Sequence, residues 1–157
     1  MLLAGDIGGT KTRLALYSPE RGPRIPLVEK TYSSRSYADF QSMVKTFLEE
    51  VEYRVDTASF GAAGPVVNGK ARITNLPWRL DEQQLEKDLG ILNVRLLNDL
   101  EATAHAVPFL EENDLLTLNP GQHVPGGSMA VIAPGTGLGE AYITWDGARY
   151  HPHPSEG

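Results

Sequence analysis

Gly5-Asp-Ile-Gly-Gly-Thr-Lys-Thr12 departs at one place from the phosphate-loop pattern G-x-x-x-x-G-K-[ST]: Thr10 stands where the glycine before the lysine belongs. Such a loop opens a helix whose N-terminal N–H groups face the anion. Here Arg13-Leu-Ala-Leu-Tyr17 is instead a short β-compatible segment running into the turn from Ser18 to Pro23. A hairpin is therefore expected, with Gly8 and Gly9 at its tip. Two glycines let backbone N–H groups approach an anion without Cβ interference, and Thr10, Lys11 and Thr12 add donors. Asp6, at the end of the first strand, offers the carboxylate oxygen that positions hydrated Mg²⁺. An ordinary turn with Lys11 as a solvated charge fits the same residues equally well.

A second glycine run, Gly135-Thr136-Gly137-Leu138-Gly139, lacks dinucleotide-fingerprint spacing and precedes the strand-like Ala141 to Trp145 rather than a helix. It reads as another donor-rich hairpin. Between the two runs, Asn98-Asp99 follows the short apolar segment Val94 to Leu97 and begins a helix, which places a carboxylate at a strand end where α/β proteins commonly bind ligands. Asp99 is a candidate proton acceptor, although Asp and Asn at that position are also ordinary helix caps. Asn75, in Thr74-Asn-Leu-Pro-Trp78, is either a loop amide for a hydroxyl-rich ligand or a turn residue. Trp78 reads as core. His151-Pro-His-Pro154 supplies too few ligands for a metal, and His105 and His123 receive no role.

The elements that must position these groups are mostly visible. Leu2 to Ala4, Arg13 to Tyr17 and Ile25 to Tyr32 form an antiparallel meander. From Ser36 onward Phe40, Met43, Val44, Phe47, Leu48 and Val51 recur at helical spacing. Thr57 to Gly61 and Ala71 to Thr74 are strand pieces, with Asn68-Gly69 a hairpin turn. Asp81 and Gln84 predict a capping box opening a helix that Gly90 ends. Another helix, carrying Leu100, Thr103, Ala104 and Val107, stops at Pro108. Met129 to Ala133 and Ala141 to Trp145 are strands, with a turn at Asp146-Gly147. Hairpins first and β–α alternation later indicate a mixed α/β fold.

Composition bounds the rest. The 157 residues suit one complete domain plus a portion of another. A net charge of −6 argues against a nucleic-acid partner, whose phosphates require a cationic surface. With no cysteine there is no thiolate site or disulfide. The apolar start Met1 to Ala4 is far shorter than the ~20 residues of a membrane span. No membrane association and a cytoplasmic location are expected.

Taken together, Gly5 to Leu16, Gly61-Ala-Ala-Gly-Pro-Val66, Thr74 to Trp78, Asn98-Asp-Leu-Glu-Ala-Thr-Ala-His-Ala-Val-Pro108 and Gly135 to Gly139 resemble, in order, the motifs of the bacterial glucokinase family. The resemblance implies an α/β actin-like (ribonuclease-H-like) ATPase fold. Residues 1–110 would form the small lobe and 111–157 the beginning of a large lobe. It also implies ATP-dependent phosphorylation of glucose or a related hexose. Asp99 would be the base, with Asn75, Asn98 and Glu156 on sugar hydroxyls. Gly8, Gly9, Thr10 and Lys11 would hold ATP phosphates together with Gly135, Thr136 and Gly137, and Asp6 would position Mg²⁺. Because Ser155-Glu156-Gly157 resembles the start of a longer sugar-binding motif, the chain is expected to be an N-terminal portion, inactive alone and associating as a homodimer. Alternatives are a non-catalytic half-domain, a sugar-responsive regulator of the related repressor–kinase superfamily, or a kinase for another hexose.

Overall fold

A computed structural model of the chain describes residues 1–122, 124–134 and 138–154. Two compact units divide it, Met1–Asp99 and Leu100–Gly157.

The first unit opens with β1 (Leu2–Ile7), β2 (Lys11–Tyr17) and β3 (Val28–Ser33), an antiparallel meander as expected. A 3-10 turn over Ser34–Ser36 leads to α1 (Phe40–Glu49). β4 (Thr57–Ala62) then pairs in parallel with β1, and three short strands follow: β5 (Val66–Val67), β6 (Lys70–Arg72) and β7 (Arg79–Asp81). After α2 (Glu82–Leu89), β8 (Asn93–Asn98) pairs in parallel with β4, completing a sheet of order β3-β2-β1-β4-β8. α3 (Asp99–Ala106) begins directly after β8.

One face of this sheet carries the core. Leu3, Ile7, Leu14, Leu16, Phe60 and Leu96 are buried there against Phe40, Met43, Val44 and Phe47 of α1. Phe40 meets Phe60 edge-on, with ring centroids 4.8 Å apart, a favoured aromatic geometry. Trp78 is core, as read, and its indole N–H donates to the Ala38 carbonyl at 3.1 Å. α1 starts later than the expected Ser36, because Asp39 supplies the cap by accepting the Ser42 N–H at 2.7 Å.

Local turn chemistry behaves largely as the sequence indicates. Asn68 and Gly69, at φ 50° and 70°, make the mirror-image turn that matches strand twist between β5 and β6. Asp81 caps α2 by accepting the Gln83 and Gln84 N–H groups, but the expected capping box does not close. The Gln84 side chain turns instead to Asp88, one helical turn on, at 2.7 Å. Gly90 ends α2 in the left-handed region, as expected. β8 is an edge strand, and α2 covers its outward N–H groups: Glu82 accepts from Leu96 at 2.8 Å and Glu86 from Val94 at 3.2 Å.

The second unit holds β9 (Met129–Pro134), β10 (Leu138–Trp145) and β11 (Tyr150–Pro154) as an antiparallel sheet of order β11-β10-β9. Ala104 of α3 clusters with Ala141 and Ile143. α3 tightens into a 3-10 turn over Val107–Phe109 that contains Pro108. β11 takes in the run His151-Pro-His-Pro154 despite its two prolines. Pro152 and Pro154 are two residues apart, so both missing N–H groups fall on the outer edge and leave the pairing with β10 intact. The turn into β11 is closed by Asp146, whose carboxylate accepts the Ala148 and Arg149 N–H groups and contacts His151. Among the described residues, no helix is long and apolar enough to cross a membrane.

The Asp39 cap yields a stability prediction. Asp39→Ala should cost about 1 kcal/mol, within the ~0.5–2 range for lost N-caps, measured as an earlier urea midpoint at unchanged m-value. Accepting the Ser42 N–H holds the Asp39 carboxyl below its ordinary value. With the folded-state pKa depressed, the contribution is full above the ordinary carboxylate range and lost as pH falls through the folded pKa. The gap between wild type and variant should therefore close in acid. A gap constant down to pH ~2 would contradict the capping account.

Candidate functional site

Parallel registry sets where the candidate residues emerge. Asp6 of β1 lies beside Gly61 of β4, which lies beside Leu97 of β8, and the next row is Ile7, Ala62 and Asn98. The carboxyl ends of three parallel strands thus leave the sheet along one edge, delivering Asp6, the Ala63-Gly64 loop and Asn98-Asp99. Two interstrand spacings separate the β1 and β8 ends, about 10 Å. Ile7 faces the helix-covered core, so alternation turns Asp6 to the opposite face, where it is exposed.

The hairpin reading of the first glycine run holds: β1 and β2 flank the tip, and no helix follows. The Gly8 N–H is spent inside the hairpin, donating to the Lys11 carbonyl at 3.1 Å. Among the described residues, no hydrogen bond engages the N–H of Gly9 or Thr10, so these are the donors the tip can offer. Thr10 and Lys11 are exposed. Thr12 corrects the expectation of an added ligand donor: it is fully buried, and its hydroxyl bonds Ser34 at 3.0 Å.

Hydrogen bonds tie the tip region to two further loops. The Ala63 N–H donates to the Ile7 carbonyl at 3.2 Å. The Ala63 carbonyl in turn accepts the Thr74 N–H at 3.4 Å and the Thr74 hydroxyl at 3.2 Å. The Asn98 amide donates to the Gly64 carbonyl at 3.0 Å, fastening the end of β8 to the same loop. Gly9 is required by close approach: a Cβ there would lie 2.8 Å from the Thr74 carbonyl oxygen and 3.6 Å from the Asn75 Cβ. Asn75 sits at φ 67° in a turn closed by the Leu76 N–H on the Ile73 carbonyl, a left-handed position that asparagine tolerates. Its turn role is thus visible, with its side chain exposed.

The structure therefore brings Asp6, Gly8 to Lys11, Asn75, Asn98 and Asp99 to one end of one sheet. Gly135, Thr136, Gly137 and Glu156 lie outside the described residues, as does His123. Ser34, Ala63 and Thr74 support the site, yet no local pattern distinguishes them from ordinary loop residues. In the second unit His151 contacts Asp146, and His153 bonds the Thr144 hydroxyl at 2.9 Å while stacking on Tyr142. Among the described residues, no group of three or more His, Asp or Glu side chains could hold a metal. A carboxylate beside a phosphate-type tip at strand carboxyl ends is an arrangement suited to positioning a hydroxyl and a phosphate.

The meander followed by parallel β4 and β8 is the α/β architecture of actin-like, ribonuclease-H-like sugar kinases. The crystal structure of a glucokinase from an Antarctic psychrotroph superposes with a TM-score of 0.88 at 28% identity, over 99% of this chain and 50% of that one. Residues 3–157 match the family model described as Glucokinase, and the chain belongs to the glucokinase family. It is 41% identical over 160 residues to a glucokinase of Nostoc sp. and 40% identical over 167 residues to one of Synechocystis sp.. These alignments take in 100% and 99% of the chain but 47% of each relative, so the chain spans about half the length of these curated relatives.

The close approach at Gly9 predicts coupling between two loops distant in sequence. Gly9→Ala should displace the Thr74 carbonyl, shifting the Thr74 and Asn75 amide signals in a ¹⁵N correlation spectrum. Unmoved signals at both residues in a folded variant would show that the tip and the 74–75 turn do not touch.

Proposed function

We propose that this chain carries the proton-accepting carboxylate and one phosphate-gripping hairpin of an ATP-dependent kinase that converts glucose to glucose 6-phosphate. The carrying observation is the position of Asp99. It begins α3 at the carboxyl end of β8, on the sheet edge where the 8–10 tip and the 63–64 and 74–75 loops are bonded together. In this reading Asp99 takes the proton from the sugar 6-hydroxyl, whose oxygen forms a bond to the γ-phosphorus. The bond to the β–γ bridging oxygen breaks, and ADP leaves with that electron pair.

The other residues position the reactants. Gly9 and Thr10 donate N–H groups to phosphate oxygens across a tip without side-chain obstruction at Gly8 and Gly9, and Lys11 adds positive charge. Asn75, Asn98 and Glu156 hold sugar hydroxyls, and Gly135, Thr136 and Gly137 form a second phosphate contact. The exposed Asp6 carboxylate has no hydrogen-bond or ion-pair partner among the described residues, which fits hydrated Mg²⁺, a cation that takes one or two carboxylates and keeps several waters. When bound with ATP, Mg²⁺ neutralises phosphate charge. The small lobe would run over residues 1–110, with 111–157 beginning the large one, in a cytoplasmic enzyme of glycolysis.

The assignment is tested in the full-length protein. Asp99→Asn should leave sugar binding intact and lower turnover by the ~10²–10⁴-fold of general-base loss in a coupled ADP-release assay. Near-wild-type turnover would remove Asp99 from the role. Running wild type against other hexoses decides the preferred sugar, and ligand binding without turnover would favour a regulator.

The 157-residue chain by itself is proposed to self-associate and to be catalytically silent. Leu116 and Leu118 are 84% and 89% exposed, and among the described residues β9 presents an unpaired edge with Ile132 exposed. Apolar side chains and open strand edges favour pairing between copies. Light scattering at micromolar concentration should give at least a dimer mass, with no glucose-dependent ADP release. A monomer with turnover would contradict both statements.

A further inference from the structure

Behind the 8–10 tip lies a small polar group that the proposed chemistry does not use. Ser34, the first residue of the 3-10 turn after β3, is fully buried, as is Thr12 on β2. The Ser34 hydroxyl donates to the Gly8 carbonyl at 2.8 Å, and the Ser34 N–H donates to the Thr10 carbonyl at 2.9 Å. Serine has one hydroxyl hydrogen, and the Gly8 carbonyl takes it. In the 3.0 Å contact between Thr12 and Ser34, Thr12 is therefore the donor and Ser34 the acceptor. One residue thus holds two carbonyls on either side of Gly9, and a second buried hydroxyl holds that residue.

We propose that Ser34 is a positioning residue for the phosphate tip: by drawing back the Gly8 carbonyl it aims the Gly9 N–H at the incoming anion. The reason lies in peptide geometry. Across a planar trans peptide the C=O and the following N–H point in opposite directions, so fixing the Gly8 carbonyl toward Ser34 directs the Gly9 N–H away from it. The tip is also confined from another side, because Gly9 abuts the Thr74 carbonyl with no room for a Cβ. A donor already fixed in direction need not be ordered when the anion arrives, and that saving appears as affinity. Two glycines in a tip would otherwise be the least ordered part of the hairpin. Ser34 reaches the ligand only through Gly8 and Gly9, so it orients without touching phosphate. This inference rests on the proposed reading of the tip as a nucleotide phosphate site.

The test uses the full-length protein and two readouts. In the first, a non-hydrolysable ATP analogue is titrated while the Gly9 and Thr10 amide signals are followed. Both should shift in wild type, and Ser34→Ala should weaken the apparent affinity about 5- to 20-fold, the usual range for one lost, formerly buried hydrogen bond. Ser34→Cys, which keeps the volume but donates weakly, should fall between them if Ser34→Ala does not fold. Ser34→Thr, which keeps the hydroxyl, should restore most of the affinity. In the second readout, steady-state assays should show the ATP KM rising by a similar factor while the glucose KM and kcat stay near wild type. Asp39→Ala, destabilised at a different place, should leave the ATP KM unchanged, which separates positioning from a general loss of stability.

Unchanged nucleotide affinity in folded Ser34→Ala or Ser34→Cys would overturn the inference. So would equal rises in both KM values, or wild-type titrations in which neither tip amide moves. If the analogue shifts the tip amides and Ser34 variants weaken it, but wild type releases no ADP with glucose, the kinase reading fails while the role of Ser34 stands.

Discussion

Parallel pairing of β4 between β1 and β8 is the constraint on which the candidate site depends. An antiparallel β4 would send its own end, with the Ala63-Gly64 loop that bonds Ile7 and Asn98, to the edge opposite Asp6 and Asp99. With the observed registry, the β1, β4 and β8 ends emerge together; β1 and β4 run into loops whose polar backbone must find partners, and β8 runs directly into α3. Those partners are largely one another. Ala63 bonds Ile7, Thr74 bonds Ala63, and Asn98 bonds Gly64, so the backbone accounting of three loops also assembles the site.

Two features hold that registry in place. On the covered face, Phe40 and Phe60 lock α1 across the middle of the sheet, and burying rings of this size contributes roughly 1.5–3 kcal/mol each. At the β8 edge, Glu82 and Glu86 of α2 accept N–H groups that a neighbouring strand would otherwise take. The edge is thereby closed to further pairing, and the strand that delivers Asp99 is fixed along its length. The opposite face mixes small or polar groups, Ala4, Asp6, Ser59 and Gly61, with the larger Leu2 and Leu97.

What could be read from the sequence divides by range. Gly90, the Asn68-Gly69 turn and the α1 stripe were legible because each rests on interactions within a few residues. The rejection of a helix after Lys11 was legible for the same reason, since Arg13 to Tyr17 has strand character and a turn behind it. Most of the failures needed distant partners, and one a local competitor. Gln84 matches a capping box, but Asp88 competes for its amide. Thr12 follows a lysine in a phosphate-like run, yet β3 and the Ser34 turn come round to bury it. Pro152 and Pro154 argue against a strand until the sheet order shows that β11 is an edge. Gly9 could be read as a flexible tip residue, whereas its need for hydrogen alone comes from Thr74, far along the chain. The candidate residues themselves, Asp6, the tip, Asn75, Asn98 and Asp99, were identifiable by type. Their convergence on one sheet edge follows from the parallel pairing and could not be read locally.

In the proposed function this edge binds sugar and nucleotide together, with Asp99 at the reacting hydroxyl. A crystal structure of the full-length protein with glucose and a non-hydrolysable ATP analogue tests it most directly. The account predicts the sugar 6-hydroxyl within hydrogen-bonding distance of the Asp99 carboxylate, and phosphate oxygens accepting from the Gly9 and Thr10 N–H groups. Glucose bound away from the β8 end, or phosphates that do not touch the 8–10 tip, would contradict it.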